Sequence, residues 1–204
     1  MKKLILAVCA VFALSTLSFA KFGLGVKLGA GQNDPKDMKA DFNAFGGTFT
    51  ENPGIVALEM LYEFTMGYPD SANKIGIKVG LDFYGQNKLE NALFKDTETT
   101  YAIPLTAYYK HDRGPGTVAF YGGGGVTFIN TKIEGSGPFY GGAFDETEGK
   151  IFPHVSCGFE YRFTKLFAMG LDFKYNINAK VEKDGFIYSD RSGISGALAA
   201  RFYF

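Results

Sequence analysis

Apolar residues recur at every second position along most of the chain, in eight segments separated by polar or Gly-rich stretches. A period of two belongs to a β-strand, whose successive side chains point to opposite faces. The first segment, 22–30, sets Phe22, Leu24, Val26, Leu28 and Ala30 against Gly23, Gly25, Lys27 and Gly29. The second, about 55–68, aligns Val56, Leu58, Met60, Tyr62, Phe64, Met66 and Tyr68 against Ala57, Glu59, Leu61, Glu63 and Thr65. The third sets Ile75, Ile77, Val79, Leu81 and Phe83 against Gly76, Lys78, Gly80 and Asp82. The fourth sets Tyr101, Ile103, Leu105, Ala107 and Tyr109 against Thr100, Ala102, Pro104, Thr106, Tyr108 and Lys110. The fifth is blanked by four glycines at 122–125, but Val118, Phe120, Val126 and Phe128 share a phase. The sixth aligns Ile151, Pro153, Val155, Cys157, Phe159, Tyr161 and Phe163. The seventh aligns Phe167, Met169, Leu171, Phe173, Tyr175 and Ile177 against Gly170, Asp172, Lys174 and Asn176. The last aligns Ile194, Gly196, Leu198, Ala200, Phe202 and Phe204 against Ser195, Ala197, Ala199, Arg201 and Tyr203.

None of these apolar faces carries a charge; every charge within the strands lies on the opposite face. A soluble sandwich also alternates, but its charges face water. Connection lengths separate the cases. Residues 69–73, 112–116 and 164–166 make short turns, whereas 31–54, 85–99, 131–149 and 178–191 are long and polar, and the two kinds alternate strictly. Short periplasmic turns alternating with long external loops are the pattern of an outer-membrane barrel. The expected fold is all-β, an eight-stranded antiparallel up-and-down transmembrane β-barrel over 21–204, with both termini periplasmic. Phe83, Tyr101, Phe128 and Tyr175 end strands on the loop side, and Tyr68, Tyr109, Phe163, Phe167 and Phe204 on the turn side. Two aromatic girdles follow, built without Trp.

The first twenty residues, MKKLILAVCAVFALSTLSFA, read as a cleaved signal peptide. Lys2 and Lys3 precede an apolar stretch over 4–17, and Ser18 and Ala20 are small residues before a cut at Lys21. Past that cut, 19 Lys and Arg face 21 Asp and Glu, a net charge of −2 that gives no support to nucleic-acid binding. Cys157 then has no cysteine to pair with within the mature chain. No later segment approaches the roughly 18 apolar residues of a transmembrane helix, so insertion must use strands.

With the apolar face toward lipid, the other face fills the barrel. It holds Lys27, Lys78, Lys110, Arg162, Lys174 and Arg201, with Glu59, Glu63, Asp82, Glu160 and Asp172. Eight strands enclose space for side chains or one small ligand. Buried charges persist when paired and hydrogen-bonded. A salt-bridged plug is therefore expected, with a narrow channel for small solutes as the alternative.

The stretches YAIPLTAYYK (101–110), AFYGGGGVTF (119–128), GFEYRFTKLFAMGLDFKY (158–175) and ALAARFYF (197–204) resemble the small outer-membrane barrels that include the OmpA transmembrane domain, OmpX and the opacity proteins. The resemblance covers essentially the whole mature chain and also fits the porin-family outer-membrane barrels. It implies an outer-membrane location among phospholipid and lipopolysaccharide, and a role as anchor, surface antigen or adhesin, or narrow channel. It also implies that Phe202 and Phe204 form a C-terminal signal for the barrel-assembly machinery. Family members often have Gly where Ala199 stands.

Catalytic signals are sparse. His154-Val155-Ser156 is similar to the His-x-Ser pair of barrel lipid A deacylases, in which Ser156 would attack an ester with His154 as base. In those enzymes Asn usually follows and the pair faces lipid; here Cys157 follows and the phase points inward. The bland reading, two polar lumen residues, is preferred, and the chain is expected not to be an enzyme. Residues 122–125 lack the Gly-Lys-Ser/Thr of a phosphate loop. Pro104 and Pro153 should mark bulges or kinks. Cys157 faces lipid as a small filler. His111 and His154 lack metal-ligand spacing, and no metal or cofactor is expected.

Function is expected in the loops. The first carries Phe42, Phe45 and Phe49, and the third Phe139, Tyr140 and Phe144. Together the four loops hold fourteen Asp and Glu against eight Lys and Arg, about −6, which favours basic partners or divalent cations. The expectation is a non-enzymatic surface barrel that contacts a ligand through its loops. The sequence leaves the oligomeric state open.

Overall fold

The computed structural model describes residues 20–32, 48–68, 71–90, 95–137, 142–183 and 186–204. Residues 1–19 of the signal peptide read over 1–20 and loop aromatics Phe42, Phe45, Phe139 and Tyr140 lie outside them, as do the side chains of Phe49 and Phe144. The described residues form twelve strands: β1 Ala20–Gly31, β2 Thr48–Thr50, β3 Gly54–Thr65, β4 Asn73–Tyr84, β5 Asn87–Glu90, β6 Lys95–His111, β7 Val118–Gly137, β8 Gly142–Arg162, β9 Phe167–Asn176, β10 Lys180–Lys183, β11 Phe186–Asp190 and β12 Gly193–Tyr203. Eight of them, β1, β3, β4, β6, β7, β8, β9 and β12, pair antiparallel in chain order. β12 returns to β1, with Leu24 opposite Phe202 and Leu28 opposite Leu198, and the ring is closed. This is the expected eight-stranded barrel, and closure leaves its wall without a free edge.

The two faces are sorted as the alternation requires. Leu24, Val26, Leu58, Met60, Ile77, Ile103, Val126, Phe159, Leu198 and Phe202 point outward and are exposed, while their neighbours in chain point in and are buried or half-buried. Exposed apolar side chains over a whole belt are costly in water and favourable in lipid. The aromatic girdles stand at its ends. Phe83, Tyr101, Phe128 and Tyr175 are exposed at the loop side, and Tyr68, Tyr109, Phe163 and Phe204 at the turn side. Phe167 is half-buried between Phe163 and Phe202, its ring 5.7 and 5.0 Å from theirs.

Three expectations need correction. The stretches read as irregular loops at 85–99 and 131–149 are largely strand. β6 starts at Lys95, and β7 and β8 remain paired from Val118↔Tyr161 up to Gly137↔Gly142. Alternation of small and polar residues carries no apolar signal, yet each backbone N–H and C=O there still needs a partner, and the ladder supplies it. The last connection likewise holds the hairpin β10–β11. Second, neither proline shifts a register. Pro104 interrupts the β4–β6 ladder between Val79↔Leu105 and Asp82↔Ala102 without displacing it. Gly80 leaves room for its ring, since a Cβ there would stand 2.8 Å from Pro104 Cγ. Pro153 sits just past the end of the β8–β9 ladder, where its carbonyl accepts from the Ile177 N–H at 3.0 Å. Third, β2, β5 and β6 continue the sheet beyond the barrel on the loop side.

Candidate functional site

The lumen is filled in layers, set by which residue each strand places inward at each height. Arg201 of β12 is at the centre and 1% exposed. Its Nε donates to Glu59 at 2.6 Å, its Nη1 to Glu160 at 3.0 Å, and its Nη2 to both oxygens of Asp172 at 2.6 and 2.7 Å. A planar fork with donors on three sides suits this convergence better than an ammonium would. Lys27 Nζ lies 3.1 Å from Glu59 and 3.5 Å from Asp172, and Lys78 Nζ lies 3.3 Å from Asp172. The Tyr121 hydroxyl donates to Asp172 and accepts from Arg201 Nη1 at 3.1 Å.

One layer toward the turns, Lys110 Nζ donates to Glu63 at 2.8 Å, Glu160 at 2.6 Å and the Tyr203 hydroxyl at 2.9 Å. Tyr108 adds a hydrogen bond to Glu63 at 3.0 Å, and Tyr203 donates to Glu160 at 2.9 Å. At the turn-side floor, Arg162 and Lys74 both bond Asp112, and the Arg162 guanidinium lies 4.3 Å from the Tyr203 ring centre. Asp112 also accepts from the Gly114 N–H at 2.8 Å, which ties the floor to the β6–β7 turn. Burial by itself raises the Asp112 carboxyl. The hydrogen bond from Lys74 and the charges of Arg162 and Lys74 outweigh it and hold the group well below the usual carboxylate range.

Toward the loops, Lys174 Nζ donates to Asp82 at 2.6 Å. Ile55, Ala57, Tyr84, Ala102, Ile129 and Phe152 then form an apolar layer across the lumen, completed by Ala179 and Val181 from the β9–β12 connection. Above it Arg191 reaches Glu98 at 3.4 Å and lies 4.5 Å from the Tyr84 ring centre. Glu98 also accepts from Asn87 at 2.7 Å and Thr100 at 2.9 Å. A cavity of about 40 Å³ remains between the Arg201 layer and the apolar layer, lined among others by Lys27, Lys78, Asp82, Thr106, Ser156 and Lys174.

All eleven charged residues assigned to the lumen from their phase point inward, and each has an oppositely charged group within 4.0 Å. The sequence reading missed two buried cations, Lys74 and Arg191, and three buried anions among the described residues, Asp96, Glu98 and Asp112. Lys74 and Glu98 share the inward phase of Lys78 and Thr100, so longer strands would have found them. Asp112 and Arg191 lie outside any periodic stretch, in a turn and a loop, and had no signal. The apolar layer was also missed, because Ala57 and Ala102 are small and Val181 comes from a loop.

His154 and Ser156 are not arranged as a nucleophile and base. His154 is 2% exposed, and its Nε2 and Nδ1 each sit 2.9 Å from a threonine hydroxyl, those of Thr106 and Thr127. Ser156 Oγ has no hydrogen-bond partner among the described residues. With both ring nitrogens occupied, the imidazole has none left to take the serine proton. Among the described residues no cluster of metal-ligating side chains occurs.

An all-antiparallel barrel of eight strands, with an outer apolar belt, aromatic girdles and a charged interior, defines a small outer-membrane barrel. The chain belongs to the family described as the outer membrane protein beta-barrel domain, which matches residues 4–202 and places the protein in the outer membrane. Among solved structures it is similar to Ail, the attachment invasion locus protein of Yersinia pestis, in complex with the heparin analogue sucrose octasulfate. That match has 10% identity and a TM-score of 0.51, covering 91% of this chain and 99% of that one. It is also similar to the outer membrane protein OprG from Pseudomonas aeruginosa, at 10% identity and a TM-score of 0.50, covering 91% and 96%. At these identities the likeness is one of fold. No curated protein matches the chain by sequence.

Proposed function

We propose that this protein is a non-conducting surface barrel that anchors a loop-side β-sheet outside the membrane and contacts a basic partner through it. The observation that carries this reading is how far the strands continue past the lipid-facing belt. Phe128 of β7, paired with Ile103 and Ile151, is the last large apolar outward residue before polar ones begin. β7 then runs on to Gly137, about 30 Å of extended chain at about 3.3 Å per residue. Beside it stand the upper parts of β6 and β8, with β5 and β2 beyond. Lys132 bonds Glu134 at 2.6 Å and lies 3.0 Å from Asp145 on the exposed face of this extension. Such exposed pairs contribute little stability. The acidic excess of the four loops favours a cationic ligand and disfavours sulfated polyanions of the kind bound to Ail.

The filled lumen supports the same reading, since its ionic and apolar layers serve to hold a rigid base. Orientation follows from the same scheme, with the sheet outside and the short turns and both termini in the periplasm. The test is to delete residues 133–147 and measure surface binding of a fluorescent oligolysine to whole cells. The shortened barrel should keep its heat-dependent gel shift and bind less oligolysine than the parent. Equal binding by both would refute the role of the extension.

A further inference from the structure

The cavity of about 40 Å³ in the lumen is bordered by polar atoms that are not satisfied by protein. Asp82 is 3% exposed, and its Oδ1 has no hydrogen-bond partner among the described residues, although its Oδ2 receives Lys174. Ser156 Oγ likewise has none. The lysines lining the cavity have donors to spare. An ammonium carries three, and Lys78 donates to Asp172 at 3.3 Å while Lys174 donates to Asp82. The site therefore offers one bare acceptor, one hydroxyl and several donors, in surroundings where unmade hydrogen bonds are costly.

A guest must donate to Asp82 and accept from the ammonium groups and Ser156. Water does both. A halide only accepts and leaves Asp82 Oδ1 bare, while a metal cation would sit among three ammonium groups. The charge balance points the same way. Lys27, Lys78, Arg201 and Lys110 face Glu59, Asp172, Glu160 and Glu63 in one connected set of ion pairs, and Lys174 faces Asp82 in a separate one, which leaves no charge for a further ion to neutralise. At about 10–15 Å³ of such volume per molecule, the 40 Å³ cavity takes about three waters. We propose that this cavity is a resident water site. Its cluster joins the Asp82–Lys174 pair to Lys27, Lys78 and Asp172, and reaches His154 through the Thr106 hydroxyl, which lines the cavity and bonds His154 Nε2 at 2.9 Å. The polar network then runs without a break from the Glu63–Lys110 pair to the underside of the apolar layer.

The full mature barrel, refolded and crystallised with bromide in place of chloride, tests this. Ordered water peaks within hydrogen-bond reach of Asp82 and Ser156, with no anomalous bromide peak, are expected. An empty cavity or a bromide peak would overturn the proposal. In micelles, the methyl groups of Ala57 and Ala197, both lining the cavity, should show nuclear Overhauser effects to long-lived water; absence of these signals would also overturn it. Ser156→Val removes the hydroxyl and fills part of the space. It should lose at least one water peak while keeping the folded gel mobility, and an unchanged cluster would remove Ser156 from the site.

Discussion

At the scale of single residues, the interior depends on Arg201 more than on any other group, because three carboxylates converge on it. Arg201→Met should destabilise the barrel by about 3–5 kcal/mol, since Glu59, Asp172 and Glu160 lose a buried counter-charge while remaining buried themselves. Arg201→Lys should cost less, keeping the charge but losing the fork. Urea titration of the heat-modifiable band in micelles measures both, and equal midpoints for the three proteins would remove Arg201 from its central role. Asp112 gives a pH prediction. Its folded carboxyl is held below the usual carboxylate range, so the stability it contributes is complete above about pH 4, the ordinary carboxyl value, and is lost as pH falls further. Asp112→Asn should therefore be less stable than the parent at neutral pH, and the gap should narrow in acid. A gap that stays constant from pH 7 to pH 3 would mean the charge plays no part.

At the scale of elements, the seam between β6 and β7 is a close approach in the wall. A Cβ on Gly125 would stand 1.9 Å from the Leu105 carbonyl oxygen, and one on Gly123 2.1 Å from that of Ala107. At Gly122 the nearest atom would be 3.8 Å away. Gly125→Ala should prevent closure and abolish the folded band on an unboiled gel, whereas Gly122→Ala should fold as the parent does. These four glycines show what was legible in sequence and what was not. Their place in a strand followed from the shared phase of Val118, Phe120, Val126 and Phe128. Which of them could bear a side chain did not, because that depends on the backbone of β6 alongside. The same division holds for the charges. Lys27, Glu59 and Arg201 were assigned to the lumen by phase alone, since an inward or outward direction needs only the period of two. Their convergence on one another depends on strand stagger, which joins Glu59 to Arg201 across 142 positions of chain and leaves no local trace. Asp112 and Arg191 escaped notice because turns and loops have no period, although both close the network at its ends.

At the scale of the whole molecule, the question is whether the barrel passes solute. Any axial path must cross the Arg201 layer, where the guanidinium is bonded on three sides, and then the layer of Ile55, Tyr84, Ile129, Phe152 and Val181. The first barrier is one of specific ion pairs, and the second offers no charge and only the Tyr84 hydroxyl to replace an ion's hydration. Opening the first alone leaves the second intact. The two barriers are also held differently. The ionic layer is made by barrel strands, whereas Ala179 and Val181 are supplied by the β9–β12 connection, which is fastened by Arg191 on Glu98. Planar-bilayer recordings of the parent should accordingly show no discrete conductance. Arg201→Met should stay silent as well, because the apolar layer still closes the lumen. Removing residues 179–191 in the Arg201→Met background breaks the ionic layer and takes Ala179, Val181 and the Arg191 tie out of the apolar one, and only that combination should yield steps. Conductance in the parent would contradict the plugged reading. Steps in Arg201→Met alone would show that the apolar layer does not seal, and would return the lumen to the class of narrow channels.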